Sequence, residues 1–408
     1  MLRKRELPDE NGMKVSLLTG GGDPTYALPL CSVLTSKGVH VDFIAGDAMA
    51  DAEAVRVEKC HYYNLRGDQN PHVAVRTKVF RILVYYYRLI KYSVMTDSGL
   101  FHILWPTKIW PSRFVYFDRT ILNIVYKALG KEVVYTAHNI NEGERDKNDT
   151  FLNRLTLRFM YKFVDHIFVH TEKMKFQLIH SFHIGDNKIT VIPFGINNVL
   201  PKSRMTEMEA KRLLNVVDHH KTLLCFGQIA PYKGLDILIA ALSLLRRKEN
   251  DWRLIIAGNI KEGHHEYWAN IQKMIEQHDL GSNIMRMIEF IPDQNVEWYF
   301  KAADVAVLPY RHIFQSGVLS LAYNFGLPVI ATDVGAFSED IVEGETGYVV
   351  RPENPEDLAD KISQYFESDL YKNLQVKRKK IMDYANERYS WHTVGEITQA
   401  VYSSLLKA

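Results

Sequence analysis

Short apolar runs separated by amphipathic stretches set the rhythm of the first half of the chain. They fall at 15–19, 41–45, 101–105, 133–137, 166–170 and 189–192. Runs this short, bounded by turn residues and alternating with helical periodicity, predict βα units and a parallel sheet. After Val191-Ile-Pro-Phe-Gly-Ile-Asn197 comes a polar segment, 201–220, and then a second series at 223–226, 254–257, 287–290, 305–308, 329–331 and 348–350. Two doubly wound α/β halves are expected, with their boundary near residues 195–220. Local punctuation agrees: Asn354 can cap a helix that has Pro355 at its first position and Glu356 and Asp357 in the positive first turn. Open parallel sheets bind ligands at the carboxyl ends of their strands, so a cleft between the halves is the expected active site.

Length supports the division, because 408 residues exceed what one hydrophobic core usually organises. A 47% apolar and 24% charged composition is that of a globular enzyme, and a net charge of +2 gives no global sign of nucleic-acid binding. No N-terminal apolar region of signal-peptide type and no run of about 18 apolar residues occurs, so a cytoplasmic location is expected. Cys31, Cys60 and Cys225 form neither a disulfide framework nor a metal-ligand spacing and read as buried thiols.

The chemistry begins at Phe226-Gly-Gln-Ile-Ala-Pro-Tyr-Lys-Gly234, between a strand pattern and a helical one. Lys233 is expected at a helix start, where backbone N–H groups, the helix dipole and an ammonium converge on an anion. Alone, Lys233 suits a solvated surface lysine equally well. A second helix start, Gln315-Ser-Gly-Val318, places Ser316 as N-cap with Gly317 open to close approach. Two such starts can hold a diphosphate. The spacings of a P-loop and of a dinucleotide fingerprint are absent, no Asp-x-Asp pair occurs, and the adjacent histidines His219-His220 and His264-His265 would point apart on a helix; no metal is expected.

Taken in order, the Lys233-Gly234 element, the Gln315-Ser-Gly-Val318 helix start, Gly326-Leu-Pro-Val-Ile-Ala-Thr332, Thr136-Ala-His-Asn139 and the Val191–Asn197 linker resemble the retaining glycosyltransferases of family 4. The resemblance spans both halves. It implies a GT-B fold with an acceptor-side domain over 1–198, completed by a C-terminal helix within 386–408, and a donor domain over 199–385. It also implies a nucleoside-diphosphate sugar as co-substrate, a glycan or glycolipid acceptor, and neither metal nor other cofactor. Donor-binding residues would be Gly227, Gln228, Lys233, Ser316, Gly317 and Val318. His138 and Lys233 would be catalytic, His138 positioning the sugar and Lys233 meeting the charge on the leaving phosphate. Gly21, Gly22 and Asn139 would lie on the acceptor and sugar side.

Two departures stand out. Gln228 occupies a position where the family carries Arg, and a neutral amide cannot neutralise a phosphate. The family's Glu-x7-Glu positions hold Ile313 and Leu321, neither of which can accept a ribose hydroxyl; Glu339 and Glu343 are candidate substitutes. Non-catalytic nucleotide-sugar binding, sugar-nucleotide epimerisation on the same architecture, and a pyridoxal-phosphate phosphorylase are the rival readings.

Two further segments carry expectations. The charged loop 139–149, with Glu142, Glu144, Arg145, Asp146 and Lys147, is expected to move over the acceptor side. Between Asp68 and Asp97 no acidic residue occurs, and at 100° per residue Val79, Ile82, Leu83, Tyr86, Leu89 and Ile90 share one arc opposite Lys78, Arg81, Arg88 and Lys91. Such a basic helix over 76–91 packs its apolar face on the sheet and either leaves its basic face solvated or touches an anionic membrane surface with it, which would make the protein peripheral at the inner face.

Overall fold

The computed structural model describes residues 12–68, 73–107, 114–141, 149–195, 203, 205–216, 220–246 and 251–407. It divides into two compact units, one formed by Met1–Gly195 with Ser390–Ala408 and the other by Ile196–Tyr389.

In the first unit, strands β1 (Lys14–Leu18), β2 (His40–Ala45), β3 (Cys60–Asn64), β4 (Leu100–Ile103), β5 (Glu132–Thr136), β6 (His166–Val169) and β7 (Ile189–Val191) form one sheet in the order β3-β2-β1-β4-β5-β6-β7. Every pairing is parallel. The central strands read as near-continuous apolar runs because both faces are covered by helices. Helix α1 (Pro24–Ser36) follows β1, and α2 (Val75–Met95) carries the chain from β3 to β4. A π-turn, Asp118–Leu122, runs into α3 (Asn123–Ala128) before β5, and α4 (Phe151–Phe163) precedes β6.

The second unit holds β8 (Lys221–Phe226), β9 (Trp252–Ala257), β10 (Ile284–Met287), β11 (Val305–Leu308), β12 (Val329–Thr332) and β13 (Gly347–Val350) in the order β10-β9-β8-β11-β12-β13, again all parallel. Helix α5 (Leu235–Arg246) follows β8, and α6 (Gly317–Asn324) follows β11. Asn354 caps the helix Pro355–Glu367 by accepting the Asp357 N–H at 2.8 Å. The final helix, α7 (Trp391–Lys407), packs on α1 of the first unit. There Tyr402 is fully buried and its hydroxyl meets His102 Nδ1 at 2.5 Å.

Both units are doubly wound parallel sheets, as the alternation predicts, with three corrections. The edge strand Cys60–Asn64 is additional; its Cys-His-Tyr-Tyr-Asn sequence carries no apolar run. The run at 287–290 is not a strand: β10 ends at Met287 because its one neighbour, β9, ends at Ala257 and the ladder cannot continue, and Phe290 is exposed. The polar segment 201–220 contains a helix, Glu207–Leu213, begun by a capping box between Thr206 and Glu209.

Helix α2 forms where basic periodicity predicts it, but turned about its axis. Its buried side chains are Ile82, Tyr85, Tyr86, Leu89, Tyr92 and Ser93, while Leu83 faces solvent with Phe80 and Tyr87. The cause is polar: Tyr92 donates to buried Asp42 at 2.6 Å, and Tyr86, on the expected inward arc, donates to buried Asp118 at 2.6 Å. Each bond satisfies a carboxylate that burial would otherwise penalise. Cys31, Cys60 and Cys225 are free and buried. No helix among the described residues is long and apolar enough to cross a membrane.

Candidate functional site

In the second unit the two helix starts meet. β8 leads into Gly227 (φ 98°), a short turn of 3-10 helix over Pro231–Lys233, and Gly234 (φ 66°) at the foot of α5. A Cβ on Gly234 would lie 1.9 Å from the Pro309 carbonyl oxygen, so glycine is required by both the left-handed backbone and the close approach. The turn points Lys233 back over β8. A Cβ on Gly227 would stand 2.7 Å from Lys233 Nζ and 3.6 Å from Val318 Cγ2. Residues about ninety positions apart in sequence thus surround one point at the carboxyl ends of β8 and β11.

Lys233 is buried, 9% exposed. Its ammonium donates one long bond to the Phe226 carbonyl, 3.4 Å, and sits 5.2 Å above the Tyr310 ring. Among the described residues it has no carboxylate partner. Burial therefore pulls its pKa below the ordinary lysine value, with Tyr232 and Cys225 only partly opposing. Ser316 caps α6 by accepting the Leu319 N–H. Gly317 is exposed and a Cβ there would meet nothing within 4 Å, so its neighbours in the fold do not demand a glycine. Gln228, next after Gly227 in the chain, is exposed.

A brace that the motifs do not announce holds this turn. Arg311, beyond β11, bonds Asp236 twice, at 2.8 and 2.6 Å, and donates to the Pro231 carbonyl at 2.8 Å. The Tyr267 hydroxyl donates to Asp236 at 2.6 Å. Burial opposes ionisation of Asp236, but the bonds from Arg311 and Tyr267 outweigh it and hold the carboxyl below its ordinary range. An acidic residue in the first turn after Gly234 was the available clue; its partner lies 75 residues further on.

Ile313 and Leu321 pack as partly buried side chains on the apolar core of this unit, which leaves no carboxylate at either position. Of the candidate substitutes, Glu343 accepts the Val349 N–H at 2.7 Å and so stabilises the turn into β13, while Glu339 is half-buried. A different carboxyl lies by the α6 start. Asp340 is buried, pushed up to about 6 by burial, and contacted by Gln315 Nε2 at 3.5 Å and Arg388 at 3.6 Å.

In the first unit His138 follows β5 and stacks on Trp105, rings 4.3 Å apart at 11°, with Tyr26 edge-on at 4.6 Å. His170, at the end of β6, places Nδ1 3.2 Å from the Ile192 carbonyl and Nε2 3.0 Å from His138 Nδ1. A carbonyl can only accept, so neutral His170 donates from Nδ1 and accepts at Nε2; His138 then donates from Nδ1. Burial holds His170 neutral, with its pKa down to about 4.

The glycine loop has a reason within the fold. Cβ atoms on Gly21 and Gly22 would strike the Arg66 guanidinium and the Trp105 ring, and Arg66 donates to the Gly20 carbonyl at 2.6 Å. Gly22, Trp105 and His138 are thereby brought together, with half-buried Asn139 next in the chain. Glu142, Glu144, Arg145, Asp146 and Lys147 of the charged loop, and Ile196 and Asn197 of the linker, lie outside the described residues.

Two doubly wound parallel sheets, one bearing a buried lysine between two helix starts and the other a histidine at a strand end, define a GT-B type of glycosyltransferase architecture. The family model of glycosyl transferases group 1 matches residues 208–388, and that of glycosyltransferase family 4 matches residues 20–198. The chain belongs to glycosyltransferase family 4.

Among its relatives, a D-inositol 3-phosphate glycosyltransferase of Corynebacterium aurimucosum is 25% identical over 290 residues, 67% of this chain and 66% of that protein. A lipopolysaccharide core biosynthesis mannosyltransferase, LpsB, of Rhizobium meliloti is 28% identical over 222 residues, 53% of this chain and 61% of that protein. The aligned stretch thus spans slightly under two thirds of the length of these curated relatives. The solved structure of Anabaena Alr3699/HepE in complex with UDP-glucose shares the fold with a TM-score of 0.72 at 15% identity, covering 96% of this chain and 100% of that one.

Proposed function

We propose that this protein transfers a glycosyl group from a nucleoside-diphosphate sugar to a lipid-linked or polysaccharide-precursor acceptor, with retention of configuration and without a metal ion. The convergence of Gly227, Lys233 and Val318 on one point carries the reading. Cleaving a sugar-diphosphate bond leaves charge on the phosphate oxygens. A desolvated ammonium and the N–H groups of Ser316, Gly317 and Val318 are fixed where that charge would develop, and each such donor typically contributes about 2.7–4 kcal/mol to lowering a barrier. The relative named for lipopolysaccharide core biosynthesis supports the acceptor class.

Retention fits His138 as a sugar-positioning group. The His170 bond fixes the ring through Nδ1, and positioning a sugar is a role that needs no paired carboxylates of the glycosidase kind. Metal independence fits the donor set: among the described residues no three or more His, Cys, Asp or Glu side chains gather where they could hold an ion. Lys233 supplies positive charge instead.

One observation favours a second reading. The apolar packing of Ile313 and Leu321 removes the carboxylates that would grip the nucleotide, which suits a protein that binds nucleotide sugars without turning them over. A thermal-shift screen of UDP, GDP and ADP sugars, with and without EDTA, followed by NMR of the product anomer, separates the two. A shift with EDTA-insensitive turnover to the retained anomer supports transfer. A shift without transfer or hydrolysis supports the binder, and no shift with any nucleotide sugar overturns both.

A further inference from the structure

Large apolar side chains exposed to solvent are concentrated on one set of helices in the first unit. α2 presents Phe80 (67% exposed), Leu83 and Tyr87; the π-turn and α3 present Ile121 and Ile124; α4 presents Phe151 (83% exposed), Leu152 and Leu155. Phe80, Leu83 and Tyr87 follow helical spacing and form one stripe. The elements are locked side by side. Tyr86 of α2 lies 4.8 Å from Phe117 and bonds Asp118 of the π-turn, while Arg119 of the π-turn donates to Asn153 of α4 at 2.7 Å.

Chain direction puts them on one face. The connections β3→β4, β4→β5 and β5→β6 all run the same way across the sheet, opposite to β1→β2, so right-handed crossovers set them opposite α1.

The charge on this face is predominantly basic. Residues 69–96 and 150–164 contain no Asp or Glu, yet carry Arg76, Lys78, Arg81, Arg88, Lys91, Arg154, Arg158 and Lys162. Arg81 is paired with Asp68 and Arg154 with Asp149. Arg76, Arg88, Lys91, Arg158 and Lys162 have no carboxylate partner among the described residues, and all five are exposed. A face that is only solvated has no need of exposed phenylalanines beside unpaired cations. A second copy of the same face would bring like charges together. A polyphosphate backbone would satisfy the cations and leave the aliphatic side chains wet.

We propose that α2, the π-turn with α3, and α4 form a platform that docks on an anionic phospholipid surface, with Phe80, Leu83, Phe151 and Leu152 entering the headgroup boundary and Arg88, Lys91 and Arg158 meeting lipid phosphates. The inference deepens the lipid-linked acceptor reading and rests on it for its purpose, but its evidence lies in this face alone.

Flotation of the full chain with phosphatidylcholine vesicles, alone or containing phosphatidylglycerol, tests it. Binding should appear with phosphatidylglycerol and weaken with salt. Arg88→Glu/Arg158→Glu should lower partitioning roughly twentyfold or more, since each basic residue contributes about fivefold, and Phe80→Ser/Phe151→Ser should lower it without changing the salt dependence. Equal recovery on both vesicle types, no recovery, or loss of a dimer rather than of vesicle binding in the variants overturns it, as does displacement from lipid by duplex RNA. A nucleotide-sugar thermal shift run on the same proteins keeps the two readings apart. A preserved shift without vesicle binding leaves transfer standing and removes the platform; vesicle binding without any shift does the reverse.

Discussion

Replacing Lys233 by methionine separates a residue kept for a ligand from one kept for the fold. The methionine fills nearly the same volume without charge. In the unliganded protein it removes the contact with Tyr310 at 5.2 Å, an interaction of about 0.5–2 kcal/mol, and a bond to Phe226 too long to be strong. It also removes the cost of holding an unpaired ammonium away from water, on the order of several kcal/mol for a buried ion after the surroundings relax. The unliganded variant should therefore be at least as stable as the parent.

The sign of the pH dependence follows. Because burial lowers the Lys233 pKa, the unfolded chain binds the proton more tightly. The parent should gain stability relative to Lys233→Met as pH rises from the folded pKa to the ordinary lysine value of 10.5, and no further above it. With nucleotide sugar the order inverts. The parent should gain about 2.7 kcal/mol at roughly a hundred times the dissociation constant, or roughly 5–10 °C in melting temperature for a unit of this size. The variant should show little shift and a turnover about 100–1,000-fold lower. Denaturant titrations across pH and thermal shifts with and without donor measure both effects. A variant that loses several kcal/mol unliganded yet keeps the full donor shift would refute the reasoning and make Lys233 a structural residue.

Two other perturbations probe the supports. Asp236→Asn should cost about 1–3 kcal/mol, less than a fully buried pair because Arg311 is partly exposed; the Asp236 contribution is present above the ordinary carboxylate pKa and is lost as pH falls through its depressed folded value, so acid melts of parent and variant should converge at low pH. His170→Phe should leave the donor shift intact and lower turnover about 10–100-fold by freeing the His138 ring to turn; unchanged turnover would remove His138 from the sugar-positioning role.

The strands that were legible are those buried on both faces, since only apolar residues can occupy such positions and their runs stand out. β3 escaped because an edge strand tolerates His61 and Asn64, and β10 was misplaced because its end is dictated by its neighbour rather than by its own residues. The axis of α2 was misjudged because hydropathy treats tyrosine as indifferent and left Tyr85 and Tyr92 off the apolar arc, whereas both are buried and Tyr92 is drawn inward by Asp42. The lysine turn was readable because Gly227 and Gly234 meet local backbone demands that leave a local signature. The Arg311–Asp236 brace and the stack of Trp105 on His138 were not, since each joins distant positions by geometry that no spacing encodes.

The return of α7 to the first unit has a consequence for how the protein is made. His102 bonds Tyr402, 300 residues later, and Gly195 packs against the ring of Trp391. The second unit is one uninterrupted stretch, whereas the first is interrupted by it and is complete only once α7 has been made. At about 5–20 residues per second, His102 spends roughly 15–60 seconds without its partner. During that interval the α1 face destined for Val394 and Gly395 stays uncovered. The half that is synthesised first is the half that is finished last, and its exposure to chaperones during translation is written into the course of the chain.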